Sequence, residues 1–216
     1  MKLFVFDIDD TLTRSEDQHI CAYVQAMNHF GISEIDQNWA SYEHHTDSFI
    51  LKENYERNFP QRFDFNFIPN FEARMTELIL DLSPVTEING AQSIIRELNK
   101  HPDYAMCFAT GSLLQPALIK LNQAEIDANE ELVAGSNEIF EREGIVSEAI
   151  QRAKQHYAVT NFESIISIGD GIWDLKTAKN LGIHFIGIGM KNYADFQQAG
   201  INTHIEDWSN FDPFKV

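Results

Sequence analysis

Cysteine is almost missing from this chain. Cys21 and Cys107 are the only two, far apart and without metal-ligand spacing, so neither a disulfide framework nor a zinc site is indicated and a reducing compartment is expected. Bases are scarce too: 16 Lys and Arg face 33 Asp and Glu, a formal charge of −17. A surface this acidic repels phosphate backbones and anionic lipid, which argues against nucleic acid and membrane as partners. It also means that an anionic substrate needs a metal or a local basic group. Long apolar runs are absent, so no segment reads as a membrane span. The first apolar run, Leu3 to Phe6, is ended by acids after four residues, too short for a signal peptide; a soluble, cytoplasmic protein is expected. What is present is ordinary globular composition, with 44% hydrophobic and 12% aromatic residues, which excludes disorder and fibrous repeats. At roughly 150 residues per domain, the length allows one or two domains.

Leu3–Phe6, Tyr104–Ala109, Ser164–Ile168 and His184–Ile188 are apolar and rich in strand formers, as strands buried on both faces of a parallel sheet are. Helical patterning separates the later ones: Leu114, Leu118 and Leu121; Ile145, Ala149, Ile150 and Ala153; and Leu175 to Leu181, stopped by Gly182. Strands alternating with helices imply βαβ units, hence an α/β fold with a parallel sheet. Residues 15–89 break the alternation. They carry helical stripes such as Ile20, Tyr23, Val24 and Met27, then Phe71, Met75, Leu78 and Ile79, and no convincing strand. The expected organisation is therefore an α/β core of residues 1–14 and 90–216 with a helical insertion, 15–89, over the C-terminal edge of the sheet, where ligands bind in open α/β folds.

Three constellations follow predicted strands. Asp7-Ile8-Asp9-Asp10-Thr11 ends the first; strand alternation puts Asp7 and Asp9 on roughly the same side, and two such carboxylates need a cation or a shared proton. Mg²⁺, a hard oxygen-seeking ion, answers that need, although a polar turn capping a helix explains the acids one by one. Gly169-Asp170-Gly171-Ile172-Trp173-Asp174 brings two acids at i and i+4, one face of a helix if it begins there. Ala109-Thr110-Gly111-Ser112 offers a hydroxyl and a helix N-terminus for an anion.

Taken together, these motifs resemble the haloacid dehalogenase-like hydrolases. The family's Asp-x-Asp-x-Thr box is matched by Asp7, Asp9 and Thr11, its Ser or Thr after the next core strand by Thr110, and its Gly-Asp box by Gly169, Asp170 and Asp174. The position after the second Asp, often Gly in the family, is Asp10 here. The family's basic residue, usually Lys, falls on Arg142 in the segment EREGIVSEAI, with Lys154 as competitor; Arg keeps the charge and can grip phosphate bidentately.

The resemblance implies a Rossmann-like core with helices on both faces, a helical cap, and phosphoryl transfer from a small phosphorylated metabolite by a monomer or homodimer. Asp7 would attack phosphorus, and Asp9 would protonate the leaving oxygen and then take a proton from water. Mg²⁺ would sit on Asp7, the Asp9 carbonyl, Asp170 and Asp174. Thr11, Thr110, Gly111 and Arg142 would hold the phosphate. The segment YEHHTDSFI resembles the substrate-facing cap segment of phosphoglycolate phosphatase-like members, placing Thr46, Asp47 and Ser48 near the leaving group, with phosphoglycolate itself a family-level expectation. The adjacent His44 and His45 read as solvated. A phosphomutase on the same core, and a catalytically silent binding protein, are the alternatives; a carbon–halogen hydrolase has no use for a cluster joining Asp9 to Asp170.

Overall fold

The computed structural model describes residues 1–215. In chain order they form β1 (Lys2–Phe6), β2 (Thr13–Arg14), α1 (Glu16–His29), α2 (Asp47–Asn58), α3 (Ile68–Asp81), β3 (Thr86–Glu87), α4 (Ala91–Leu98), β4 (Tyr104–Ala109), α5 (Leu114–Gln123), β5 (Val133–Ala134), α6 (Arg142–His156), β6 (Ile165–Gly169), α7 (Ile172–Leu181), β7 (His184–Ile188), α8 (Tyr193–Gln198) and β8 (His204–Ile205). None of the helices is long and apolar enough to cross a membrane.

Leu3, Phe4, Val5 and Phe6 have no polar side chain to turn toward water, and all four are buried. That requires neighbours on both edges and both faces, so β1 takes an inner position in the sheet. The order is β5-β4-β1-β6-β7-β8, and every pairing is parallel. The architecture is the α/β, Rossmann-like one. The chain runs outward from β1 through β4 to β5, then returns along α6, which packs on β5, β4 and β1, to start the other half at β6. β1 therefore stands at the point where the strand order reverses, the crevice that open α/β sheets use for ligands. Phe6 pairs with both Phe108 and Ile168, so the residues just beyond β1, β4 and β6 emerge side by side.

The three helices between β2 and β3 bury a second apolar cluster, with Met27, Leu51, Phe71 and Met75 fully enclosed. Leu113, at the entrance of α5, belongs to that cluster rather than to the sheet's, and α3 rests on α5. Where the chain leaves for this insertion and returns from it, β2 and β3 pair antiparallel, Thr13 with Glu87 and Arg14 with Thr86. Strands of two residues are too short to show alternation, which is why β2, β3, β5 and β8 leave no signature in the sequence. One expectation is corrected: α7 begins at Ile172, so Asp170 precedes the helix and does not share a helical face with Asp174.

The C-terminal segment reaches back to the start of the chain. Trp208 is buried, its ring meets Phe6 at 5.5 Å between centroids, its Nε1–H donates to the Thr11 carbonyl at 2.8 Å, and its backbone N–H to the Asn89 carbonyl at 3.0 Å. Trp208→Ala leaves a cavity and an unpaired carbonyl, and is expected to cost about 3–5 kcal/mol in denaturant-unfolding experiments.

Candidate active site

Asp7 is delivered by the end of β1, Asp170 by the end of β6 and Asp174 by the first turn of α7. One carboxylate oxygen from each lies within 4.8 Å of the others, and all three side chains are buried. Asp174 can come this close because Gly169 has no Cβ; one there would collide with its carboxylate. The Asp174 carboxylate also accepts from the Gly171 N–H at 3.0 Å. Arg142, the first residue of α6, inserts its guanidinium between them: Nη2 donates to Asp7 Oδ1 at 3.0 Å and to Asp174 Oδ1 in a tighter ion pair. Burial, outweighed by Asp174 and Asp7, leaves its basicity raised further.

One guanidinium does not balance three buried carboxylates. Burial and then Asp174 push Asp7 up to about 8, against the pull of Arg142. Burial and then Asp7 and Asp174 push Asp170 up to about 9. Hard oxygen donors with an excess of negative charge are the donor set that a divalent cation such as Mg²⁺ satisfies, so these residues fit the metal that the sequence motifs imply.

Asp9 points elsewhere. Alternation fails as a guide because β1 ends at Phe6 and the chain turns, with Asp9 bridging to Thr13. Its carboxylate is not in the acid cluster. It receives Lys120 Nζ at 2.5 and 2.7 Å and the Ser15 hydroxyl at 2.5 Å. Burial works against its ionisation, but Lys120 prevails and holds it at about 2. Asp10 occupies a left-handed backbone conformation, φ 53°, which explains why glycine suits this position. Its Oδ1 accepts from the Ser15 and Glu16 N–H groups at the start of α1, and the residue lines the cavity.

Thr11 is fully buried and does not line the cavity. Its hydroxyl donates to Asp7 Oδ2 at 3.3 Å and accepts from the Asp170 N–H at 3.1 Å. The expectation that Thr11 binds phosphate is thus corrected: it ties the first acidic loop to the last. Thr110 and Gly111 do line the cavity, of about 110 Å³, together with Asp7, Asp9, Arg142 and Asp170. Gly111 must be glycine, since a Cβ would lie 2.5 Å from the His45 carbonyl and 2.8 Å from Arg142 Nη1.

Thr46 and Asp47 line the cavity and Ser48 does not; the side-chain hydrogen bonds of all three serve the junction between the insertion and the rest of the chain. The Thr46 hydroxyl donates to the Phe140 carbonyl at 2.7 Å and that of Ser48 to the Ile139 carbonyl at 3.0 Å. Asp47 accepts from His19 Nε2 at 2.9 Å and from the Leu113 N–H at 2.9 Å, and its own N–H donates to the Gly111 carbonyl at 2.8 Å. His45 is not a solvated histidine: its ring stacks on Trp173 at 3.6 Å and 2°, and burial followed by Arg142 depresses its pKa to about 4. The apolar walls come from Ile20, Tyr23, Trp39, Ile50 and Trp173. Lys154 sits twelve residues beyond Arg142, in the last turn of α6, about 18 Å along the helix axis at 1.5 Å per residue.

Lys120, His19 and Trp173 are the residues that the motifs do not flag. The only trace of Lys120 in the sequence is a lysine between Leu118 and Leu121 on an otherwise apolar helical stripe.

The family model for haloacid dehalogenase-like hydrolases matches residues 4–188. The chain belongs to that family. No curated protein matches it significantly. Solved structures give the same fold at low identity. A HAD hydrolase, family IA, variant 3, from Entamoeba histolytica is 15% identical at TM-score 0.72, with 100% of this chain and 97% of that one covered. CbbY from Rhodobacter sphaeroides, in complex with phosphate, is 16% identical at TM-score 0.68, covering 96% and 95%. A predicted phosphoglycolate phosphatase from Haemophilus somnus is 14% identical at TM-score 0.63, covering 96% and 95%.

The crowded acids have a consequence for stability. In chelator, folded Asp170 keeps its proton up to about pH 9, whereas the unfolded chain loses it near 4. The folded state binds the extra proton between those values, so its stability falls as pH rises through that window. Thermal melts in chelator at about pH 5 and pH 8 are expected to show a smaller drop for Asp170→Asn than for the native protein.

Proposed function

We propose that this haloacid dehalogenase-like hydrolase is a Mg²⁺-dependent phosphatase that removes the phosphoryl group of a small phosphomonoester through a phospho-Asp7 intermediate. The observation that carries the reading is the convergence of Asp7, Asp170 and Asp174 with Arg142, three of them (Asp7, Asp170 and Arg142) lining a cavity that the helical insertion also walls; the insertion acts as a cap.

Asp7 Oδ attacks phosphorus, and the alcohol oxygen leaves with the electron pair of the broken P–O bond. Arg142, the Thr110 hydroxyl and the backbone N–H groups beyond β4 hold the nonbridging oxygens. A bound Mg²⁺, carried by Asp7, Asp170, Asp174 and the Asp9 carbonyl, would neutralise phosphate charge and so let an anion enter an acidic pocket. Asp9 has two duties. Giving a proton to the leaving oxygen needs its acid form; taking one from the water that cleaves phospho-Asp7 needs the carboxylate that Lys120 favours. Alcohols that depart as stable anions do without the first duty.

The walls bear on the substrate. Arg142 is the only lysine or arginine among the described residues lining the cavity, and two carboxylates already engage it. Nothing is left to pair with a second anion. The geometry therefore favours a phosphomonoester with a neutral, partly apolar alcohol half over a carboxylated one such as phosphoglycolate.

A panel of phosphomonoesters with Mg²⁺ tests this. Benzyl phosphate is expected to give a higher kcat/KM than phosphoglycolate. Asp7→Asn is expected to lower turnover by at least about 10³-fold with the fold intact by circular dichroism. Chelator should abolish activity, and added Mg²⁺ restore it. An isomerised sugar phosphate in place of free phosphate would identify a mutase.

A further inference from the structure

Lys120 is a fully buried lysine with no part in the family motifs. It sits on the inner face of α5 and does not line the cavity. Placing an ammonium where water cannot reach is costly unless its donors are all used. Here they are. Nζ reaches both Asp9 oxygens at 2.5 and 2.7 Å, Ser112 Oγ at 3.1 Å and His19 Nδ1 at 3.1 Å.

The partners are held in turn. An ammonium has no lone pair, so His19 Nδ1 accepts, and His19 Nε2 carries the hydrogen that goes to Asp47 Oδ1 at 2.9 Å. Asp47 is pinned at the start of α2 by the Leu113 N–H. A continuous row of charge-assisted hydrogen bonds thus runs from the cap, through His19 and Lys120, to the second carboxylate of the catalytic loop.

We propose that Lys120 is a positioning residue for the hydrolytic half-reaction: it fixes the Asp9 carboxylate in the orientation that accepts a proton from the water attacking phospho-Asp7. The inference rests on the phosphatase reading above. Lys120 touches neither substrate nor cavity and acts only through Asp9. The balance is simple: water adds its oxygen to phosphorus, the P–O bond to Asp7 breaks, the electron pair returns to the Asp7 carboxylate, and the water's proton passes to Asp9.

4-Nitrophenyl phosphate isolates this step, because its leaving group departs as an anion and formation of phospho-Asp7 needs no acid. Stopped-flow turnover with Mg²⁺ is to be compared for the native protein, Lys120→Met, Lys120→Gln and Asp9→Asn, with thermal melts establishing that each is folded. The Lys120 variants are expected to lose about 10-fold or more in kcat, a share of the 10²–10⁴ that positioned proton transfer supplies. Their kcat/KM stays within about threefold of native. A nitrophenolate burst approaching one per site is expected, with an intact-mass gain of one phosphoryl group.

A parallel fall of kcat and kcat/KM without a burst would make Lys120 merely structural and overturn the proposal. So would native kinetics in both variants, or failure of both to fold. The companion variant separates the two readings. If Asp9→Asn accumulates phosphoenzyme and the Lys120 variants do not, Asp9 keeps its role and the proposal falls. If Asp9→Asn turns over like the native protein, the assignment of Asp9 and the proposal fall together.

Discussion

Mutual repulsion among buried carboxylates governs this molecule. Three strand or helix ends bring Asp7, Asp170 and Asp174 to one spot, and a folded chain tolerates that only with positive charge in the middle. Arg142 supplies one unit from the first turn of α6. The remainder has to come from protons or a cation, and this deficit shapes the neighbourhood. Gly169 makes room, Thr11 ties the two acidic loops together, and Asp9 is drawn off by a cation of its own. The overall charge of −17 looks incompatible with a phosphate ligand until the local balance is counted: the site is built to gather positive charge, and the rest of the surface is not involved.

The two buried cations divide the acids into separate territories. Arg142 works where phosphate is expected to sit: its Nη2 alone meets both carboxylates, and a planar fork suits phosphate oxygens. Lys120 works one layer deeper, as a point charge that never reaches the cavity. Replacing either by the other would not conserve function, because one needs a fork and the other a compact ammonium with four neighbours at about 3 Å. The helical insertion enters this arrangement through Asp47 and His19, so its position and the set of Asp9 are linked through hydrogen bonds instead of through apolar packing alone.

Much of this was legible in the sequence. Continuous apolar runs that end in acids announce buried parallel strands with a polar edge, and Tyr104–Ala109 and His184–Ile188 are found at the expected bounds. The motif acids and Thr110 carry their chemistry in their spacing, and three of the four acids meet. What was not legible depends on where the backbone turns after a strand. The direction of Asp9 is set by a loop, not by alternation, and so is the left-handed residue Asp10. Lys120 is hidden because a lysine on a helical stripe is ordinarily solvated, and two of its partners, Asp9 and His19, lie about a hundred residues away in the chain. His45 and Trp173 stack only because the helical insertion and α7 meet, which no local pattern encodes. Strands of two residues leave no periodicity to detect.

The position of β1 also has a kinetic side. β1 is flanked by partners about a hundred and about 160 residues later, and the loop that follows it is fastened by Trp208, 197 residues downstream. Pairings of such sequence separation slow the search for the native state. On a ribosome the acidic loop after β1 emerges well before the segments that flank and fasten it, so it would stay unassembled until β4, β6 and Trp208 have all been made.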